Sequence, residues 1–229
     1  RFCGIELWHN DRLIQKKPIQ LGEVAEEAFK EGVSKHVTLT TGTPPGQDKG
    51  ALMLAEAARA IKERVNMPVH VQLEPPRNKE FLETLHRAEV DTVGMHIESF
   101  DKKILNAVCP VKSNLKDYFE AWENAVELFG EGQVSTFVIA GLGETDESIL
   151  RGAEKAASIG VIPYLLPLRP ISGTALEEAS PPTPKRMIEL YQGVAETLHK
   201  FGLDPRKCEA GCVRCGACSA LQEAFLFPP

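Results

Sequence analysis

Apolar positions along this chain switch five times between a period of two and a helical period, and that alternation is its first legible feature. Short β-branched runs at His36–Thr41, Val69–Glu74, Thr92–Glu98, Val134–Ala140 and Val161–Leu166 predict strands. Between and around them, helical spacing predicts helices over Leu21–Glu31, Ala51–Val65, Arg77–Ala88, Tyr118–Phe129, Ser148–Ser158 and Arg186–Phe201. Gly32 reads as the stop of the first helix. Strand and helix repeat at intervals of about thirty residues, the βαβ rhythm of a parallel sheet. The strands are too apolar for a sheet with one wet face, so both faces should be covered. A full or partial parallel (β/α) barrel fits this α/β pattern better than a doubly wound sheet. The clearest local break is Pro181-Pro182-Thr183-Pro184, read as a loop before the last helix. The expected organisation is a barrel over 1–203 and a cysteine-rich tail over 204–229.

Composition narrows the class. A chain of 229 residues with 43% hydrophobic and 25% charged residues is ordinary for a soluble globular protein. No apolar run reaches membrane-spanning length. A net charge of −6, with no basic patch carrying interleaved aromatics, argues against a nucleic-acid surface. The absence of a secretory signal, with free-looking cysteines, points to a reducing, cytoplasmic setting. The chain opens Arg1-Phe2-Cys3 without a methionine and reads as a fragment.

Four of the six cysteines fall in one run, Cys208-Glu-Ala-Gly-Cys212-Val-Arg-Cys215-Gly-Ala-Cys218. Small residues between the sulfurs let a backbone fold tightly round a metal. Disulfides fit poorly in a reducing compartment, where Cys3 and Cys109 would stay unpaired. Zinc commonly takes two separated Cys-x2-Cys hairpins, whereas overlapping Cys-x2-Cys-x2-Cys is a ferredoxin-like habit. Iron–sulfur is the favoured reading of Cys208, Cys212, Cys215 and Cys218, with zinc as the alternative. Cys109, in Ala-Val-Cys-Pro, reads as a structural residue.

In parallel barrels chemistry gathers at the C-terminal ends of the strands. Here those ends carry Thr40-Thr41-Gly42-Thr43, then Glu74, then His96 and Glu98, then Gly141-Leu142-Gly143-Glu144-Thr145, and finally Pro170-Ile-Ser-Gly173-Thr174. Singly, each is explained as a solvated acid, a helix cap or a tight turn. Five consecutive strand ends dressed this way favour a ligand site.

In series these motifs resemble the radical S-adenosylmethionine (SAM) superfamily, in its biotin synthase and lipoyl synthase branch. Arg-Phe-Cys3 is similar to the end of that family's three-cysteine motif, which would make Cys3 a catalytic 4Fe–4S cluster ligand. The motif's other two cysteines are not in this sequence. Thr40, Thr41, Gly42 and Thr43 stand where the family binds the SAM amino group, although the glycine–glycine–glutamate form is absent. His96-Ile-Glu98-Ser99 resembles the polar run whose acid contacts the SAM ribose. Gly141, Gly143 and Glu144 match a glycine-rich cofactor loop, and Pro170–Leu176 a signature beyond the last strand. Biotin synthase ligates a second cluster with cysteines inside the barrel, but Ser135 stands on the matching strand here. The tail quartet would then hold the second 4Fe–4S cluster, as the sulfur-donating cluster of lipoyl synthases implies. Further phrases resemble one component of a two-protein lipoyl synthase.

The resemblance implies an enzyme that makes a 5′-deoxyadenosyl radical from SAM, most simply for sulfur insertion. It also implies an electron donor such as ferredoxin or flavodoxin, a small-molecule or carrier-protein-bound substrate, and a partner radical SAM protein. Two rival classes stand beside it. A metal-free barrel aldolase or isomerase explains the βα rhythm but not the quartet. An iron–sulfur electron-transfer protein explains the quartet but not the dressed strand ends.

Overall fold

The computed structural model describes residues 1–4 and 16–227, so the last two residues of the expected tail, 228–229, lie outside the described residues. Five parallel strands form one sheet in sequence order: β1 (Val37–Thr40), β2 (Val69–Gln72), β3 (Thr92–Gly94), β4 (Val134–Ala140) and β5 (Val161–Pro167). Consecutive order with every crossover in the same sense gives a partial (β/α) barrel, as the alternation predicts. A doubly wound sheet would need an order reversal, and there is none among the described strands.

Strand periodicity assigns the two faces. Val69, Val71 and Val93 are fully buried in one cluster with Ala55, Ala58, Leu82 and Leu85 of helices α2 (Ala51–Lys62) and α3 (Lys79–Arg87). Alternation then turns His70, Gln72, Thr92 and Gly94 to the opposite, inner face. The alanines of α2 let that helix lie close against the strands. The N-terminal helix α1 (Pro18–Lys30) packs on α2, where the carbonyl of Ala60 lies 2.4 Å from the point a side chain at Gly22 would start.

Three elements went unforeseen. Helix α4 (Lys102–Val108) is short and follows β3, with Asp101 Oδ1 accepting from the N–H groups of Lys103 (2.8 Å) and Ile104 (3.4 Å). Helices α5 (Leu115–Phe129), α6 (Asp146–Ala157) and α7 (Pro184–Lys200) follow the predicted pattern. The Thr183 hydroxyl caps α7 and Pro184 opens it, so the proline-rich break is a loop feeding that helix. Beyond α7 the chain forms α8 (Gly211–Cys215) and α9 (Leu221–Leu226), too short to leave a periodic signal.

Strand β3 ends four residues before the prediction. After Gly94, the imidazole of His96 takes the Phe137 N–H with its Nδ1 (3.1 Å), displacing a ladder carbonyl. Pairing resumes at Glu98, whose N–H reaches Phe137 O (2.9 Å) and whose carbonyl receives Ile139 N–H (2.8 Å). Glu98 makes that jog with φ +69, a left-handed conformation that costs a non-glycine residue roughly 1–2 kcal/mol.

Candidate active site

The strand-end residues emerge at one end of the sheet because all five strands are parallel. The best-built constellation there surrounds Lys112, just before α5. Its ammonium lies 2.8 Å from Glu98 Oε1, 2.9 Å from Glu74 Oε1 and 2.6 Å from the carbonyl of His96. All three N–H groups are therefore spent. The Tyr118 hydroxyl donates to Glu74 Oε2. Burial raises the Glu98 carboxyl above its ordinary value; Lys112 opposes the rise and Glu74 adds to it. Burial works against the charge of Lys112, but the carboxylates of Glu98 and Glu74 outweigh it and hold its pKa above the usual lysine value. Tyr118, buried beside Glu74, stays protonated. Sequence reading placed Glu74 and Glu98 at strand ends but missed Lys112 and Tyr118, whose approach depends on how the segment after α4 folds back.

His96 sits beside this network, its carbonyl accepting from Lys112. Its ring stacks on Phe137, with centroids 3.6 Å apart and planes 2° from parallel. Burial, then Lys112 and His70, hold it well below its ordinary pKa, so it is neutral. Because Nδ1 accepts from a main-chain N–H, the proton of the neutral ring sits on Nε2. That Nε2–H is buried and unpartnered, as is Nε2 of His70, and both lie within 3.0 Å of the point where a Gly94 side chain would start. Gly94 is small because two imidazoles occupy its space.

The glycine loop is held from beneath. Gly141 and Gly143 have φ of +108 and +109, which any side chain would strain. Glu144 turns inward: its Oε1 accepts from Gly141 N–H (2.8 Å) and from Arg186 (3.0 Å), leaving Oε2 buried and unpartnered. Arg186 also reaches Asp146 Oδ1 at 2.7 Å, tying the loop to α7. Glu144 therefore clamps the loop. Replacing Arg186 with Met would strand a carboxylate whose side chain is only 1% exposed. We expect a loss of about 2–3 kcal/mol, measured by urea denaturation at neutral pH.

Thr40, Thr41 and Gly42 line a groove of about 620 Å³ with Leu21 and Met53 beside β1, the end strand among the described residues. Thr43 takes φ +52 and donates its N–H to Thr41 Oγ1 at 3.3 Å. None of the four bonds to the Glu74–Lys112–Glu98 network among the described residues.

The tail crosses the inner face of the barrel. Gly211 N–H donates to His36 Nδ1 (3.2 Å), and a side chain at Gly211 would start 2.5 Å from the His70 ring. Gln72 Nε2 approaches Cys212 Sγ at 3.9 Å, and the Ser219 hydroxyl donates to Leu165 O at 2.7 Å. The barrel interior thus has a cysteine after all, delivered by the tail rather than by a strand. Cys208 is turned the other way. Its thiol is buried, donates to Ala210 O at 3.4 Å, and is pushed up to about 11 by burial. Cys212 is half-buried, while Cys215 and Cys218 are exposed. Cys212, Cys215 and Cys218 lie near enough for their charges to act on one another, although among the described residues no three metal-ligating side chains stand at metal-binding distances. Cys109 is half-buried against the core, in keeping with a structural residue.

Cys3 is exposed. Cys3 and Phe2 line one side of a mostly apolar cavity of about 270 Å³; Ile139, Leu166 and Leu168 line the wall, and Cys218 enters from the tail. No helix among the described residues is long and apolar enough to cross a membrane.

Comparison with known proteins agrees with this geometry. The radical SAM superfamily model matches residues 1–156. A bacteriochlorophyllide c C-7(1)-hydroxylase of Chlorobaculum limnaeum is 28% identical over 156 residues, 66% of this chain and 39% of that protein. The chain thus spans well under half of that relative. Among solved structures, the FeFe-hydrogenase maturase HydG from Carboxydothermus hydrogenoformans superposes with a TM-score of 0.61 at 20% identity, over 84% of this chain and 46% of that one. Methylornithine synthase (PylB) gives 0.64 at 16% identity, over 84% and 57%. Likeness at these identities shows the fold.

Proposed function

Because this chain belongs to the radical SAM superfamily, we propose that it works as a radical SAM enzyme that inserts sulfur into an unactivated carbon, in the manner of lipoyl synthases. One observation carries the finer part of this reading. Cys218 of the tail and Cys3 line the same apolar cavity. A carbon chain seated there would lie between a radical-generating site and a sulfur-bearing one. The apolar wall of Ile139, Leu166 and Leu168 favours an alkyl segment, either free or carried on a protein.

The residues fit the family's cofactors in part. Cys3 would ligate the SAM-binding 4Fe–4S cluster, with Glu98 at the ribose and the strained Gly141–Gly143 loop allowing close backbone approach to the adenosine. When bound and reduced by a ferredoxin- or flavodoxin-class donor, that cluster with SAM supplies a 5′-deoxyadenosyl radical that takes hydrogen from carbon. Of the tail thiols, Cys212, Cys215 and Cys218 are the accessible ones, and they would hold an auxiliary 4Fe–4S cluster. A partner radical SAM protein would complete a two-component system. The buried Cys208 thiol favours a second reading, in which the tail site relays electrons or holds the fold.

The test uses full-length protein with partner and lipoyl-domain substrate, measuring 5′-deoxyadenosine and thiolated product in one tube. Cys215→Ala should retain 5′-deoxyadenosine formation and lose thiolated product. Full thiolation by Cys215→Ala would refute the donor role. Loss of both products would favour the relay or structural reading.

A further inference from the structure

The Glu74–Lys112–Glu98 cluster is more completely specified than its role as a strand-end acid requires. Of its four carboxylate oxygens, three are committed: Glu98 Oε1 and Glu74 Oε1 to Lys112, and Glu74 Oε2 to Tyr118. Glu98 Oε2 alone has no protein partner among the described residues, and the Glu98 side chain keeps 11% of its surface exposed. The carboxylate sits at the point where the β3 chain jogs with φ +69, a conformation held by main-chain bonds to Phe137 and Ile139. Backbone and side chain together therefore fix the direction in which that one oxygen faces.

We propose that Lys112 is the positioning residue of the SAM site: by gripping Glu98 Oε1 it presents Glu98 Oε2 to the ribose hydroxyls. The inference rests on the reading of Glu98 as the ribose acid and adds the cation that orients it. Lys112 touches no part of SAM in this scheme, since each of its N–H groups is already taken. It acts through Glu98. Its second effect is on charge. Glu98 is faced by Lys112, by Glu74 with Tyr118 behind it, and by the half-buried Cys109 thiol, so among the described residues Lys112 is the cation opposing burial there. Without it, burial and Glu74 both push the Glu98 proton on, and a protonated carboxyl is a weaker acceptor for a hydroxyl.

The experiment is equilibrium binding of SAM to cluster-reconstituted full-length protein between pH 6 and 8.5, with no turnover. The parent should bind with a flat profile. Lys112→Met should bind about tenfold more weakly at pH 7, and its affinity should fall further as the pH is lowered. Lys112→Arg, which keeps the charge, should restore the flat profile. A Lys112→Met protein with parental affinity and a flat profile would overturn the proposal. Should that variant melt out, Glu74→Gln with Lys112→Met removes one acid along with the cation, and the same weak, pH-dependent binding is expected. Parental binding by the double variant would equally overturn it. Glu98→Gln run in parallel separates the two levels. Parental affinity there removes Glu98 from the ribose and the proposal with it, while a loss confined to Glu98→Gln rejects Lys112 alone.

Discussion

Cys3→Ala, in full-length cluster-loaded protein, is expected to lower 5′-deoxyadenosine formation by more than about a hundredfold, beyond what loss of an outer-shell partner costs a metal site. Cys3 is exposed beside an apolar cavity, so removing its thiol leaves packing nearly untouched and tests its proposed role as a ligand alone. Cys109→Ser is the control, since Cys109 packs against the core and lies outside that cavity. It should retain the radical step with some loss of stability. The decisive pair of measurements is 5′-deoxyadenosine yield and iron content on each variant. Undiminished 5′-deoxyadenosine from Cys3→Ala would take Cys3 out of the cluster.

Gly211→Val should release the tail. Gly211 has φ +81, and a side chain there would begin 2.5 Å from the His70 ring, which is itself 2% exposed and locked to Thr92 Oγ1 at 2.7 Å. Left-handed strain alone costs roughly 1–2 kcal/mol, and neither ring nor backbone can yield. Relief by moving the tail breaks the bond to His36 and uncovers Val213, Leu221 and Phe225, each worth about 1.5–3 kcal/mol of burial. The expected result is a loss of several kcal/mol and rapid proteolysis after residue 204, with the barrel surviving as a protected fragment. Gly216→Ala, where the nearest atom is 3.5 Å away, should do far less. If Gly211→Val melts and digests like the parent, the tail is not seated on His70.

Much of this was legible in the sequence, for identifiable reasons. The strands showed because Val69, Val71, Val93, Val134 and Val161 must be apolar where helices cover them. The helices showed because their buried stripes recur at helical spacing. The early end of β3 did not show, because Thr-Val-Gly-Met-His-Ile-Glu has strand composition throughout. The jog comes from a side chain, His96, competing for a main-chain donor. His96 and Glu144 were legible as motif positions, while the Phe137 stack of the one and the Arg186 pairing of the other were not, since position does not tell which way a side chain turns. The Lys112 network was invisible for a different reason, since its acids come from two strands and its cation from a turn 14 residues after Glu98. The cysteine run was plain as chemistry, while its threading through the barrel depended on Gly211 meeting a histidine 141 positions earlier, which no local pattern encodes.

That threading also sets an order of events in biosynthesis. The tail's anchor at His36 lies 175 residues back along the chain, and its contact with Gln72 lies 140 back. Contacts so remote in sequence are the last to form, because loop closure must precede any gain from them. As the chain leaves the ribosome, its strands and helices can fold while the concave face, with the imidazole of His70, still stands open. Whatever is loaded deep in the barrel during maturation has that interval in which to enter. The closing act belongs to the segment that carries Gly211 and Cys212.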